Sequence, residues 1–342
     1  MIPRGSSMSR FRQGELTKVR NYNYSFVKSN LRNETPYRSP EFIPPPIITA
    51  TVESKPDDLQ VIPPPSHLLG KSSNRILECI ALNTTTKEIV SGRFETFMNC
   101  LVERTLPSHI TQSITLYIIL NNSLQIDVAK EWIPKLAHIF KTISVISLDI
   151  AAIDDLYVMN PKKDEACGKY GFISGPYCLF MGTMKCCETY NTTLLLETDC
   201  ILNEHWVDSL YNYTKHAGGF WISGATYDGR FHDIWQYRSM FAHLNGIALY
   251  ATGNSDFQAF LNLFEEFYAR CIKNISQKLG YDYSMRHILD HHLEKQPYEY
   301  YWRFAERQML RNCLIINCSC AEDSNMTGEI NKLYDYAILH IK

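Results

Sequence analysis

Between Asn74 and Asp199 the chain alternates short apolar runs with stretches whose apolar residues recur at helical spacing, and this restricts the fold more than any other feature. Ile76 to Leu82 is an apolar run of strand length, the pattern of a strand buried on both faces. Phe94, Phe97, Met98, Leu101 and Val102 follow at i, i+3, i+4, i+7 and i+8, which predicts a helix ended by Pro107. Ile114 to Leu120 reads as a second strand, Val128, Trp132, Leu136 and Ile139 as a second helix, and Ile143 to Leu148 as a third strand. Ser174-Gly175-Pro176 opens another helix, with proline tolerated in its first turn, ahead of Phe180, Met184 and Cys187. Thr192 to Leu196 is the fourth strand, and it runs into Glu197-Thr198-Asp199. Strands alternating with helices predict an α/β domain with a mainly parallel sheet and right-handed crossovers. Ligands of such sheets bind at the carboxyl ends of the strands.

The pattern does not extend to the N-terminal part of the 342 residues. Residues 1–7 read as a protease-site scar from an expression tag, and 8–73 as a Pro-punctuated arm or linker, with Pro44-Pro45-Pro46 and Pro63-Pro64-Pro65 favouring extended chain. That leaves 74–342 as the folded domain. Lys+Arg 34 against Asp+Glu 36 leaves a net charge of −2, too little positive field for a nucleic-acid backbone. No apolar run is long enough to span a membrane. Eleven cysteines, an odd number with no C-x-x-C pair, read as reduced core residues and point to a reducing compartment. Glycosylation sequons at Asn191 and Asn317 flank or lie within predicted buried strands, where a glycan would not fit, and this too favours the cytoplasm. The alternative is the Golgi lumen, with an anchor missing from this chain. Gly70-Lys71-Ser72 imitates a P-loop but has Pro65 where the first glycine belongs, and no GxGxxG occurs.

Glu197 and Asp199 are two apart, so on extended chain both carboxylates project to one side. Two converging carboxylates at a strand end suit a hard divalent cation, Mg²⁺ or Mn²⁺, bridging to a diphosphate. A solvated acidic turn fits the two residues alone equally well.

Leu194-Leu195-Leu196-Glu197-Thr198-Asp199-Cys200 with Trp206 resembles the metal-binding strand of GT-A fold glycosyltransferases, whose DxD or ExD motif holds a cation and a nucleotide-sugar. Phe220-Trp221-Ile222-Ser223-Gly224 resembles the strand that follows that motif, and His243 to Tyr250 the small-residue strand beneath the donor sugar. Ala337 to Lys342 resembles the C-terminal segment that returns a histidine to the metal. The segments around Glu197 and His243 look most like glycosyltransferases of algae, bacteria and large algal DNA viruses. The resemblance covers roughly Asn74 to Lys342 and implies a nucleotide-binding half over 74–200 and an acceptor-binding half over 201–342. It implies a GT-A type α/β fold: a Rossmann-like nucleotide-binding sheet flanked by helices, with an acceptor-side C-terminal half. It also implies a hexosyl- or pentosyltransferase that uses Mn²⁺ or Mg²⁺ and a nucleoside-diphosphate sugar, UDP by default, on a glycan or glycoprotein acceptor.

Carried over residue by residue, the resemblance makes Asp199 the metal ligand, with Glu197 on the ribose or metal and His340 a third ligand. Lys342 would meet the diphosphate. Thr84, Thr86 and Arg93 lie where the first strand end meets the nucleotide, Ser174 and Gly175 at a helix start facing it, and Asn245 and Gly246 beneath the sugar. In inverting members a carboxylate opening a later helix deprotonates the acceptor. Asp282 in Gly280-Tyr281-Asp282-Tyr283-Ser284 fits that place or is a helix N-cap, with Asp256 the fallback. If Asp282 is only a cap, the enzyme is retaining. Phe231, Trp235 and Tyr237 lack a clean period and read either as a sugar-stacking acceptor loop or as aromatics pinning that loop. His287, Asp290 and His291 share a helix face but show no fourth zinc ligand. A binding protein on the same fold without catalysis is the other reading. A nucleotidyltransferase is disfavoured because Asn83-Thr84-Thr85-Thr86-Lys87 is not glycine-rich.

Overall fold

The structure, a computed structural model, describes residues 75–158, 162, 167–226, 244–274, 280–292, 305, 307–312, 314–318 and 336–341. The predicted scar and arm, the segment with Phe231, Trp235 and Tyr237, and Lys342 lie outside the described residues, as do the side chains of Asn245, His287, Asp290 and His291.

Four strands rise in the expected order: β1 (Leu77–Thr84), β2 (Thr115–Leu120), β3 (Thr142–Ser147) and β4 (Thr192–Leu196). After β5 (Cys200–Leu202) come β6 (Ile222–Thr226), β7 (Leu244–Tyr250), β8 (Met309–Arg311), β9 (Ile315–Cys318) and β10 (Ile338–Ile341). Seven of them form one sheet in the order β3-β2-β1-β4-β7-β6-β8. Within this sheet β7 alone runs against its neighbours, antiparallel to both β4 and β6. The predicted α/β class with a mainly parallel sheet is therefore the observed one. β5, β10 and β9 make a second, three-stranded sheet.

Alternation along the strands divides the core between the two faces of the large sheet. Ile80, Leu82, Ile118, Leu120, Leu194 and Leu196 pack against Phe94, Phe97, Met98 and Leu101 of the Arg93–Arg104 helix and against Trp206 and Leu210. Cys79, Ala81, Leu195 and Ala248 turn the other way, onto Tyr177, Phe180 and Met184 of the Ser174–Cys186 helix and the aromatic stripe of the Ser255–Asn274 helix. Each large apolar side chain so buried contributes about 1.5–3 kcal/mol. Trp206 is buried and donates its indole N–H to Thr105 Oγ1 at 3.1 Å. Among the described residues no helix is long and apolar enough to cross a membrane.

Three expectations change. The second helix is two short ones, Ile126–Lys130 and Ile133–Leu136, because Pro134 has no N–H and its ring meets the carbonyl four residues back, at Lys130. Asn191 flanks buried β4 but is itself exposed in the preceding turn, its amide donated to Glu78 Oε1 at 2.7 Å, so burial does not exclude a glycan there. The buried sequon asparagines among the described residues are Asn83 and Asn121. Asp256 starts the Ser255–Asn274 helix at the wrong edge of the sheet for catalysis. Tyr250 pairs with Thr193, so the chain leaves β7 at the beginning of β4, where Asp256 acts electrostatically on Arg75, just ahead of β1.

Candidate active site

Glu197-Thr198-Asp199 forms the turn from β4 into β5. β10 lies between β5 and β9, and its register sets His340 opposite Cys200 on one side and Asn317 on the other. The imidazole therefore arrives beside the residue that precedes Cys200. His340 Nε2 lies 3.2 Å from Asp199 Oδ1 and 3.8 Å from Glu197 Oε2. One donor atom from each of the three falls within 4.8 Å of the others. The histidine side chain is 1% exposed, whereas the two carboxylates keep 35% and 24% of theirs. The cluster thus has a protein wall on the imidazole side and an opening on the carboxylate side.

This donor set fits a divalent cation. Ligands around a small octahedral ion at roughly 2.1 Å stand about 3 Å from one another, close to the separations observed. Two carboxylate oxygens suit Mg²⁺ or Mn²⁺, and an imidazole nitrogen shifts the preference toward Mn²⁺. The open side leaves room for oxygens of a diphosphate.

A third carboxylate, not singled out from the sequence, ties this turn to the end of β1. Thr85 caps the Thr86–Val90 helix in a reciprocal box with Glu88. Glu88 Oε2 accepts from the Thr85 N–H and hydroxyl, each at 2.9 Å, while Oε1 accepts from the Thr198 hydroxyl at 2.5 Å. Thr85-x-x-Glu88 has the S/T-x-x-E form of a capping box, and that was the signal available for it. The reach to Thr198 depends on β1 and β4 being neighbours, with Leu82 opposite Leu196.

Gly246 on β7 is the third element. A Cβ there would lie 2.1 Å from the Tyr281 hydroxyl and 3.7 Å from Glu197 Oε1, so the bare glycine lets the tyrosine and the carboxylate close over it. Tyr281 stacks on Phe180 with centroids 4.3 Å apart. Burial raises the Tyr281 hydroxyl well above its ordinary pKa, reinforced by Tyr250, Glu197 and Asp282. Burial, then Asp282 and Glu197, do the same for Tyr250. Both stay protonated as donors, and Tyr250 donates to the Gly246 carbonyl at 2.7 Å.

The other predicted residues are placed as follows. Thr84 is buried at the end of β1. Thr86 is occupied structurally, its N–H donated to Asn121 Oδ1 at 2.9 Å and its hydroxyl to Asn122 Oδ1 at 2.8 Å. Arg93 is exposed, 3.9 Å from Glu88. Ser174 and Gly175 begin their helix as expected, but the Gly175 N–H already donates to the Leu156 carbonyl at 2.9 Å. Asp282 is the second residue of the Tyr281–His292 helix, not its cap: the Gly280 carbonyl accepts the first helical bond, from Ser284 N–H at 3.0 Å. The Asp282 carboxylate accepts from the Tyr283 N–H at 2.8 Å and, with Tyr281, lines a cavity of about 120 Å³. Asn245 lies on β7 beside Gly246.

The chain thus combines a mainly parallel α/β sheet with a carboxylate-histidine cluster, a candidate metal site, at the carboxyl end of β4. No protein-family profile and no curated protein sequence matches the chain. The solved structures similar to it are GT-A glycosyltransferases that share little sequence with it. Mouse xyloside xylosyltransferase 1 is 13% identical, covering 78% of this chain and 97% of its own, with a TM-score of 0.48. The galactosyltransferase LgtC, solved with donor and acceptor sugar analogues, is 10% identical over 77% of this chain and 86% of its own, at 0.45. The glycosyltransferase GlyE of Streptococcus pneumoniae is 12% identical over 78% of this chain, at 0.43, and this chain spans 54% of its length.

Proposed function

We propose that the chain is a divalent-metal-dependent glycosyltransferase of GT-A type that moves a sugar from a nucleoside diphosphate, UDP by preference, to a glycan or glycoprotein hydroxyl. The observation that carries this reading is the convergence of Glu197, Asp199 and His340 from two separate strand regions. The resemblance of the Leu194–Cys200 stretch to a GT-A metal strand supports it independently.

Asp199, Glu197 and His340 hold the cation, which when bound neutralises charge that grows on the departing diphosphate. Glu88 holds Thr198 and so orients the turn between the two carboxylates. Gly246 and Tyr281 shape the floor beside Glu197. Asp282 takes the proton from the acceptor hydroxyl as that oxygen bonds to the anomeric carbon and the bond to the diphosphate breaks, which inverts the configuration. The nucleotide lies against the ends of β1 and β2 near Thr84, Thr86 and Arg93, with Ser174 and Gly175 at its other side. Lys342 completes the diphosphate contacts.

The cytoplasm is the compartment we infer. Asn83 and Asn121 are sequon asparagines that are buried and hydrogen-bonded, Asn83 accepting from Thr183 and Asn121 from Thr86, so neither has room for a glycan.

The experiment is release of free sugar from a panel of nucleotide-sugars, with Mn²⁺ and then with chelator. One nucleotide class should be hydrolysed in a metal-dependent way. Metal-independent release, or none from any donor, contradicts the proposal.

A further inference from the structure

The cavity lined by Tyr281 and Asp282 lies between the Tyr281–His292 helix and strands β6, β7 and β8, and nothing in the metal cluster uses it. Its volume, about 120 Å³, is below the roughly 150 Å³ of a protein cavity that holds one benzene ring, so it admits one edge of a sugar with a single substituent and not a whole pyranose. Leu244 and Met285 give it apolar wall. Among the described residues its charged lining is uneven: Arg286 and Arg311 bring two guanidiniums, and Asp282 one carboxylate. Arg311 is an exposed residue at the end of β8, paired in register with Gly224 of β6, so it sits at the cavity on a strand and not on a loose loop.

The cavity adjoins the metal cluster. Tyr281 lines it, and the hydroxyl of that tyrosine closes over Gly246 beside Glu197. A ligand in the cavity is thus separated from the surroundings of Glu197 by the Tyr281 side chain. Guanidinium groups recognise planar or tetrahedral oxyanions by paired N–H donors, a geometry that a neutral hydroxyl does not complement.

We propose that this cavity is the acceptor pocket and that the acceptor sugar carries an anionic group, a carboxylate or a phosphate, held by Arg311 and Arg286 while a hydroxyl is presented toward Asp282. The inference rests on the glycosyltransferase reading and narrows its acceptor to acidic sugars.

The test uses the full chain with saturating Mn²⁺ and UDP, titrated calorimetrically with three probes: methyl β-glucoside, methyl β-glucuronide and methyl β-glucoside 6-phosphate. Mn²⁺-dependent binding of UDP to the unmodified protein is measured first. If it is missing, the glycosyltransferase reading falls before the acceptor is tested. If it is present, at least one charged probe should bind about tenfold or more tightly than the neutral glucoside, since hydrogen bonds to charged groups are the stronger ones. A winning glucuronide identifies a uronic acid, and a winning phosphate a phosphorylated sugar. The preference should fall to near unity in Arg311→Gln and shrink in Arg286→Gln. Equal binding of all three probes overturns the proposal while leaving the donor site intact. So does a charge preference that survives in both variants, because the anion is then held elsewhere. Arg311→Gln is at an exposed position, so its result stands even if Arg286→Gln disturbs the helix.

Discussion

His340 Nε2 lies 3.2 Å from Asp199 Oδ1, although one residue ends β10 near the C-terminus and the other leaves β4. The contact exists because β10 inserts between β5 and β9, which sets His340 opposite Cys200. The last strand among the described residues thereby completes a candidate cation site begun by the fourth.

His340→Gln should therefore weaken Mn²⁺ binding in the presence of UDP by about tenfold or more, since even outer-shell changes at metal sites cost about 10–100-fold. Electron paramagnetic resonance of free Mn²⁺ reads this directly. Unaltered affinity would remove His340 from the ligand set.

Glu88→Ala should lower stability by about 0.5–2 kcal/mol, the usual cost of a lost cap, and should also weaken Mn²⁺·UDP binding, because Thr198 loses its anchor. Glu88→Gln keeps an acceptor oxygen and should recover most of the binding. Calorimetric titration of the two variants separates them: equal affinities would mean that Glu88 acts only as a helix cap.

Gly246→Ala places a methyl group 2.1 Å from the Tyr281 hydroxyl, and overpacking of this kind costs about 1–3 kcal/mol. In the Tyr281→Phe background the nearest ring carbon is 3.1 Å away, so the same change should cost clearly less. Urea unfolding of the four proteins in this cycle gives the coupling. Additive effects would show that the two residues do not meet.

Asp282→Asn should cut sugar transfer by about 10²–10⁴-fold while Mn²⁺·UDP binding stays near the unmodified value. Steady-state transfer assays beside donor titrations check this. Undiminished transfer would make the enzyme a retaining one or place its base elsewhere.

The first four strands were legible because each is a short, mostly apolar run broken only by single polar residues such as Glu78 and Ser144, and such runs need no long-range information to read. The split at Pro134 was also in the sequence, but a regular spacing of Val128, Trp132, Leu136 and Ile139 masked it. Glu197 and Asp199 were legible from their spacing and position at a strand end. The pairing that brings in His340 was reached only through a resemblance, since no local pattern says that β10 enters between β5 and β9. Glu88 illustrates the limit: its cap is local and readable, while its bond to Thr198 depends on which strands are neighbours. Asp256 failed for the same reason, because β7 runs antiparallel and delivers the following helix to the opposite edge. Arg286 and Arg311 line one cavity from a helix and a distant strand, which spacing cannot express.

The central claim is that Asp199 and its two neighbours hold a cation that carries the nucleotide. Thermal unfolding with UDP, with Mn²⁺, and with both, for the unmodified chain and for Asp199→Ala, tests it most directly. At a ligand concentration one hundred times Kd, binding adds about 2.7 kcal/mol to stability, enough to raise Tm by several degrees. That rise should appear only when UDP and Mn²⁺ are present together, and it should be lost in Asp199→Ala. The same rise in both proteins would contradict the claim.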